Sequence, residues 1–234
     1  MLRDRLLGVV MADRKRTESP VVLSYLQLRR IVGFVGLLLP FVLGLGMWAQ
    51  GQAEVGNSIS IYYYTDLRNL FVGSLCTIGV FLIACKGYDR RDEIAGYLAG
   101  FCAIGVGLCH TAPDGCPIPL TTQILSVFHH VFAAVLFLTL AYFCLFLFRE
   151  TDPGGQPTAQ KLQRNVVYLV CGIAILGSIL AIVMVSLLNH VDLFVCQYPN
   201  PIRIFWFESV AVVSFGVAWL VKGETILKDQ PPAL

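Results

Sequence analysis

Six continuously apolar stretches run along the chain, at residues 31–49, 69–85, 94–110, 124–148, 166–188 and 202–221, separated by short polar segments. The hydrocarbon core of a bilayer is about 30 Å thick and takes about 20 helical residues to cross. The second and third stretches are short, and are expected to recruit flanking residues or to sit where the bilayer thins. None alternates apolar and polar positions, so a transmembrane β-barrel, built from alternating segments of about ten residues, is excluded. The pattern predicts an all-α, polytopic transmembrane bundle of six spans. It divides the chain into an arm (1–30), a six-helix domain (31–222) and a tail (223–234).

Charge orients the bundle. Fifteen of the 17 Lys and Arg residues fall in the arm, the tail and the second and fourth loops; only Arg68 and Arg203 lie on the other side. By the positive-inside rule both termini are cytoplasmic, and loops 50–68, 111–123 and 189–201 face outward. Residues 6–11 are too short for a secretory h-region, and no small-residue cleavage site follows. The arm is read as an orienting signal, with 21–28 able to lie along headgroups. Composition agrees: 56% of residues are apolar and 14% charged, against roughly 45–50% and 25% in soluble domains. A net charge of +2 gives no reason to expect nucleic acid as a partner. The partners expected are membrane lipids, with a membrane-protein partner or a second copy as further candidates, since no soluble mass remains.

Small residues set the packing. Gly96 and Gly100 form a GxxxG, followed by Gly105 and Gly107, which predicts a central third span with internal contacts. Pro40 removes one backbone hydrogen bond from the first span and is expected to kink it. Trp48, Tyr62, Tyr63, Tyr64, Trp206 and Trp219 fall at predicted interfaces and read as an aromatic belt. Of eight cysteines, Cys109, Cys116 and Cys196 lie outward, where disulfides are permitted. Cys116–Cys196 is the preferred pair and Cys109–Cys116 the alternative.

The polar residues that could carry chemistry gather at the outer end. His110 ends the third span, His129 and His130 lie about two turns into the fourth, and His190 ends the fifth. Glu208 lies inside the sixth, where a carboxylate is costly unless it faces water or a partner. These residues are expected to converge. Three readings compete. The first is a purely interfacial hydrogen-bond network. The second is a hydrolase in which Glu208, His130 and Ser126 are catalytic and His110, His129 and His190 ligate zinc. The third is a carrier with Glu208 and a histidine as a proton relay. Ser126 and His130 share a helix face and could form a nucleophile pair. Asp66 is expected to pair with Arg68 or Arg203.

The segments SISIYYYTDLRNLFVGSLCTIGVFL, KGYDRRDEIAGYLAG, LAYFCLFLF and FWFESVAVVSFGVAWLVKG resemble a group of small multi-pass bacterial membrane proteins. That resemblance implies a bacterial inner-membrane protein and no particular activity. A more distant resemblance is to the ceramidase and progestin-receptor superfamily, seven-span membrane hydrolases with a zinc site. Their Ser-x-x-x-His element matches Ser126–His130 here. Their paired histidines on the last helix have no counterpart, and the sixth span offers Glu208 instead. The expected functions are therefore a membrane-embedded hydrolase acting on lipid, or a non-catalytic carrier or accessory subunit.

Overall fold

The structure, a computed structural model, describes residues 20–52, 54–85, 89–113, 118–151, 158–188 and 204–227. Among these it forms six α-helices: α1 (Pro20–Ala49), α2 (Arg68–Ala84), α3 (Arg90–Leu108), α4 (Leu120–Leu145), α5 (Ala159–Leu188) and α6 (Ile204–Lys222). Each helix packs on its neighbours in chain order, and α6 packs on α1, which closes the bundle; α6 also touches α4 across it. Successive helices alternate in direction. At one end, the basic end, the start of α1 meets the end of α6 through Arg30 Nε to the Gly223 carbonyl (2.8 Å), and the start of α5 meets the end of α4 through Lys161 Nζ to the Phe148 carbonyl (2.9 Å). The opposite end carries the 3-10 turn Ser60–Tyr64 between α1 and α2.

The outer surface is that of a membrane protein. Leu180 and Leu187 on α5 are 62% and 66% exposed, and Leu45 on α1 is 66% exposed. Contiguous apolar surface of that extent is not sustained in water. Four helical segments are long and apolar enough to cross a bilayer: Tyr25–Ala49, Leu120–Arg149, Ala159–Leu188 and Ile204–Lys222. α2 is apolar but 17 residues long, which gives about 26 Å at 1.5 Å per residue. α3 has 19 residues, but its first turn is charged and nearly half of its body is glycine and alanine. The second stretch thus forms a helix shorter than the other spans, and the third a helix as long as α6 but less apolar.

Their sequence serves packing instead. A Cβ on Gly100 would lie 2.5 Å from the Gly79 carbonyl oxygen, and one on Gly79 would lie 2.7 Å from the Gly100 carbonyl oxygen. The GxxxG face therefore forms an internal α2–α3 seam, as expected, but α3 packs mainly on α2 and α4 and turns Tyr97 and Phe101 outward, so it lies at the periphery of the bundle rather than at its centre. Gly105 admits the Phe132 ring of α4 on the other side, with 2.5 Å to a virtual Cβ. Asp89 caps α3: its Oδ1 accepts from the Arg91 and Asp92 amides at 2.9 Å each, and Asp92 and Glu93 in the first turn complement the helix dipole. α1 continues through Pro40 and back to residue 20, so the last third of the predicted arm is helical and continuous with the first span.

Three expectations change. Trp219 is not an interfacial aromatic: it is 3% exposed and packs on Phe143, Phe148 and Phe215, with ring centroids 4.7–5.2 Å away. Tyr62 is likewise fully buried, against Phe205, whereas Trp48 and Trp206 are exposed as a belt requires. The Arg68 guanidinium goes to Tyr63, through Nη2 to the phenol oxygen and over the ring at 4.1 Å, rather than to Asp66; Arg203 lies outside the described residues. Cys109 carries a free thiol, as do the other five described cysteines. That overturns the Cys109–Cys116 alternative. Cys116 and Cys196 lie outside the described residues.

Candidate functional site

The end of the bundle opposite the basic end is organised around residues 57–64. Ser58, Ile59, Ser60 and Tyr62 are buried there, although they belong to a loop. Three helices hold them. The Glu208 carboxylate of α6 accepts from the Ile59 amide through Oε2 (2.5 Å), and the Phe205 amide donates to the Asn57 carbonyl (2.8 Å). His129 of α4 bonds the Ser60 hydroxyl through Nε2 (2.9 Å). Beyond the end of α3, the Tyr64 hydroxyl donates to the Thr111 carbonyl (2.6 Å) and contacts His110 Nδ1 (2.6 Å).

The tautomers follow from the acceptors. His129 Nδ1 faces the Cys109 carbonyl at 2.6 Å. A carbonyl only accepts, so Nδ1 carries the proton and Nε2 presents a lone pair. The Ser60 hydroxyl must then donate to Nε2. His130 Nδ1 faces the Ser126 carbonyl one turn back (2.6 Å) and is a donor by the same argument. His110 Nδ1 lies 3.0 Å from the Thr111 carbonyl. With the single Tyr64 proton directed to that oxygen, His110 Nδ1 also donates.

Below the 3-10 turn lies a cavity of about 50 Å³. Its polar wall is Ser60 and Glu208; the rest is apolar, including Leu39, Phe71, Leu136 and Phe215. Ser60 Oγ thus stands between a neutral histidine and an apolar cavity. Outside the membrane-spanning segments, burial, reinforced by Tyr63 and opposed by Arg68, pushes the Tyr64 phenol up to about 12.

The residues singled out from the sequence fall as follows. Glu208 and His129 meet the same two-residue step, Ile59–Ser60, one through a backbone amide and the other through a side chain. Ser126 is buried and its hydroxyl accepts from the Ala112 amide (3.1 Å), so it ties the segment after α3 to α4. The His130 ring lies edge-on to His129, with centroids 5.6 Å apart. His110 packs at a tilt against Tyr63 and edge-on to Tyr64. His190 lies outside the described residues. Among the described residues no three His, Cys, Asp or Glu side chains meet at a point that could hold a metal ion. His129 has both nitrogens engaged within the protein. The described residues therefore do not assemble the zinc donor set that the distant resemblance implies.

Ser60 is the residue that sequence reasoning passed over. No side-chain pattern marks it: Ile59 is helical in φ and ψ and Ser60 opens a 3-10 turn, so the alternation of Ser58 and Ser60 with Ile59 and Ile61 does not put both hydroxyls on one face. No family model, no curated protein and no solved structure matches the chain.

Proposed function

We propose that this chain is a six-span protein of a bacterial inner membrane, with both termini cytoplasmic, and that it hydrolyses an ester or amide of a lipid at the outer face of the bilayer. One observation carries the chemistry: the Ser60 hydroxyl donates to His129 Nε2 at 2.9 Å while His129 Nδ1 is held by the Cys109 carbonyl at 2.6 Å. Nucleophile, base and orienting acceptor stand in the sequence that activates a serine. Ser60 Oγ would attack the substrate carbonyl as its proton passes to Nε2. His129 would then return that proton to the leaving alcohol or amine. Water, deprotonated by the same nitrogen, would release the acid from the acyl-serine. The apolar wall of the adjoining cavity suits an acyl chain. Glu208 serves as a positioning residue, because it fixes the amide immediately before Ser60. Membrane lipids are then substrate as well as solvent.

A second reading is supported by a different feature. Glu208, His129, His110 and Ser126 each spend a polar atom on the backbone or side chain of a segment outside the helices. A non-catalytic carrier or accessory subunit would use the same bonds simply to clasp 57–64 and 111–112 onto the bundle. Labelling of the full-length protein in its own membranes with a fluorophosphonate separates the two. A hydrolase gives an adduct on Ser60 that disappears in Ser60→Ala and His129→Gln and persists in Ser126→Ala. Absence of any adduct, together with lower thermal stability of Ser60→Ala, would leave the clasp and remove the hydrolase.

A further inference from the structure

A groove of about 540 Å³ runs between α3 and α4 on the outside of the bundle, apart from the Ser60 site. The packing of α3 opens it. Gly96 and Gly100 bring the basic-end half of α3 onto α2, where virtual Cβ atoms fall 3.1 Å from the Leu82 carbonyl oxygen and 2.5 Å from that of Gly79. The close approach to α4 comes further along, where Gly105 admits the Phe132 ring. Phe101 packs edge-on against that same ring, with centroids 5.7 Å apart, and closes the groove at this end. From there to the basic end the walls are Ile94 and Leu98 on one side and Val135 and Leu138 on the other. Ile94, Leu98 and Leu138 are exposed, so the groove faces the surrounding hydrocarbon.

From Arg91 to Leu98 is seven residues, about 10 Å of helix, and Val135 to Tyr142 runs the same length along α4. A gap of that size facing lipid is filled by a hydrocarbon chain, because an empty one forfeits the dispersion contacts of both walls. Lipid tails are as apolar as leucine, so the walls do not choose among lipids. The mouth does. Arg91 lines it, and its guanidinium stands 3.9 Å from the Glu150 carboxylate and 4.0 Å from that of Asp89. All three side chains are exposed, at 71%, 56% and 46%. The separations exceed hydrogen-bond length, and exposed ion pairs of this kind are weak, so each group keeps the capacity to bond a headgroup. One cation and two acids at one mouth do not favour a purely anionic headgroup. They match a headgroup that carries both signs and has donors on its cation: a phosphate for Arg91 and a primary ammonium for Glu150.

We infer that the α3–α4 groove is a binding site for one zwitterionic phospholipid with a primary ammonium, drawn from the leaflet at the basic end. One acyl chain lies between Leu98 and Leu138, Arg91 holds the phosphate, and Glu150 holds the ammonium. The test is native mass spectrometry of the full-length protein in neutral detergent, with phosphatidylethanolamine, phosphatidylcholine and phosphatidylglycerol added at equal concentration. All three are ether-linked, so that no ester can be cleaved at the Ser60 end. One retained phosphatidylethanolamine per chain is expected, about fivefold above either competitor, the order of one exposed ion pair. Glu150→Gln should bring it down to the level of phosphatidylcholine, whose quaternary ammonium has no donor. Arg91→Gln should lower all three alike, because all three carry the phosphate. Leu98→Trp fills the groove and should abolish retention, whereas Ser60→Ala should leave it unchanged. Equal retention of the three lipids, no retained lipid, a preference for phosphatidylglycerol, or a preference that survives Glu150→Gln would each overturn the inference. Retention that survives Leu98→Trp, or is lost in Ser60→Ala, would place the lipid elsewhere and overturn it too. Glu150→Gln, at an exposed side chain, keeps the test decisive if Leu98→Trp fails to fold.

Discussion

Gly100→Ala should separate α2 from α3, and the cost can be worked from the seam. The added methyl would start 2.5 Å from the Gly79 carbonyl oxygen and 2.6 Å from Ile83 Cγ1, where ordinary contact begins at 3.4 Å. The isoleucine tip can rotate away. The carbonyl is backbone, already bonded within α2, so the helices must part locally by about 0.9 Å, the difference between 3.4 and 2.5 Å. A gap of 0.5–1 Å forfeits roughly a quarter to a half of each dispersion contact along it, and overpacking of this kind typically costs about 1–3 kcal/mol. Gly73→Ala is the internal control. It lies on the same helix as Gly79, yet a Cβ there meets nothing within 4 Å. Its helix-propensity gain of roughly 0.5–1 kcal/mol should therefore appear undiminished. Gly100 is helical too, so that gain is common to both, and the two alanine variants should differ by the overpacking cost of about 1–3 kcal/mol, on the order of 2–12 °C in melting temperature for a chain of this size. Thermal unfolding of purified protein in one mild detergent, followed by tryptophan emission, measures it. Gly100→Ala as stable as Gly73→Ala would show that the seam is not close-packed and that the GxxxG serves something else.

Reporter fusions at Asp152 and Leu234 should register cytoplasm, and one at Asp114 the outer compartment; a cytoplasmic signal at Asp114 would defeat the six-span topology. Non-reducing mass spectrometry of protein from its native membrane should find Cys116 joined to Cys196, and two alkylatable thiols would reject that bridge. Glu208→Ala leaves the Ile59 amide without its acceptor and should cost about 1–3 kcal/mol; Glu208→Gln keeps an acceptor oxygen and should recover most of it, unless the carboxylate charge itself is needed. For Tyr64, with a phenol at about 12 in the fold against about 10 unfolded, the unfolded chain binds fewer protons between those values. Stability is then whole below pH 10 and falls as pH rises toward 12. Tyr64→Phe should flatten that part of the stability–pH curve, and an unchanged slope would place its source elsewhere.

The helices were legible because burial in lipid demands long apolar runs, and four of the six carry that signal at full strength. α2 and α3 were harder to grade. Their residues answer to each other through Gly79 and Gly100 as much as to lipid, so small side chains displace the leucines that mark a span. Glu208 announced itself by cost, since a carboxylate inside a span needs a partner. Its partner could not be read, because the partner is a backbone amide in a loop and carries no side-chain signature. For the same reason Ser60 stayed hidden while Ser126, conveniently one turn from His130, stood out. Spacing along one helix is visible in sequence; a loop folded back into a bundle is not. Trp219 was misplaced by its position near a helix end. The aromatic cluster with Phe143 and Phe148 depends on the chain bending at the 3-10 turn Leu147–Arg149, which hydropathy does not register.

The two ends of the bundle solve one problem in opposite ways. At the Ser60 end, polar side chains reach the loop, and most neutral donors and acceptors are paired: Ser60 to His129, His129 to Cys109, Tyr64 to Thr111, Ser126 to Ala112, with the buried Thr111 hydroxyl the exception. Such a network holds without a counter-ion and tolerates an apolar cavity beside it. Buried donors and acceptors paired in this way cost little, while any one left alone costs the full desolvation of its partner. At the basic end the side chains are charged, with Arg29, Lys161 and Arg164 acting on Lys222 against Asp92. A closed network suits chemistry on a ligand that enters from the apolar side. That pairing is why the catalytic proposal rests on Ser60 and His129, and why variants at the basic end should leave the fluorophosphonate readout unchanged.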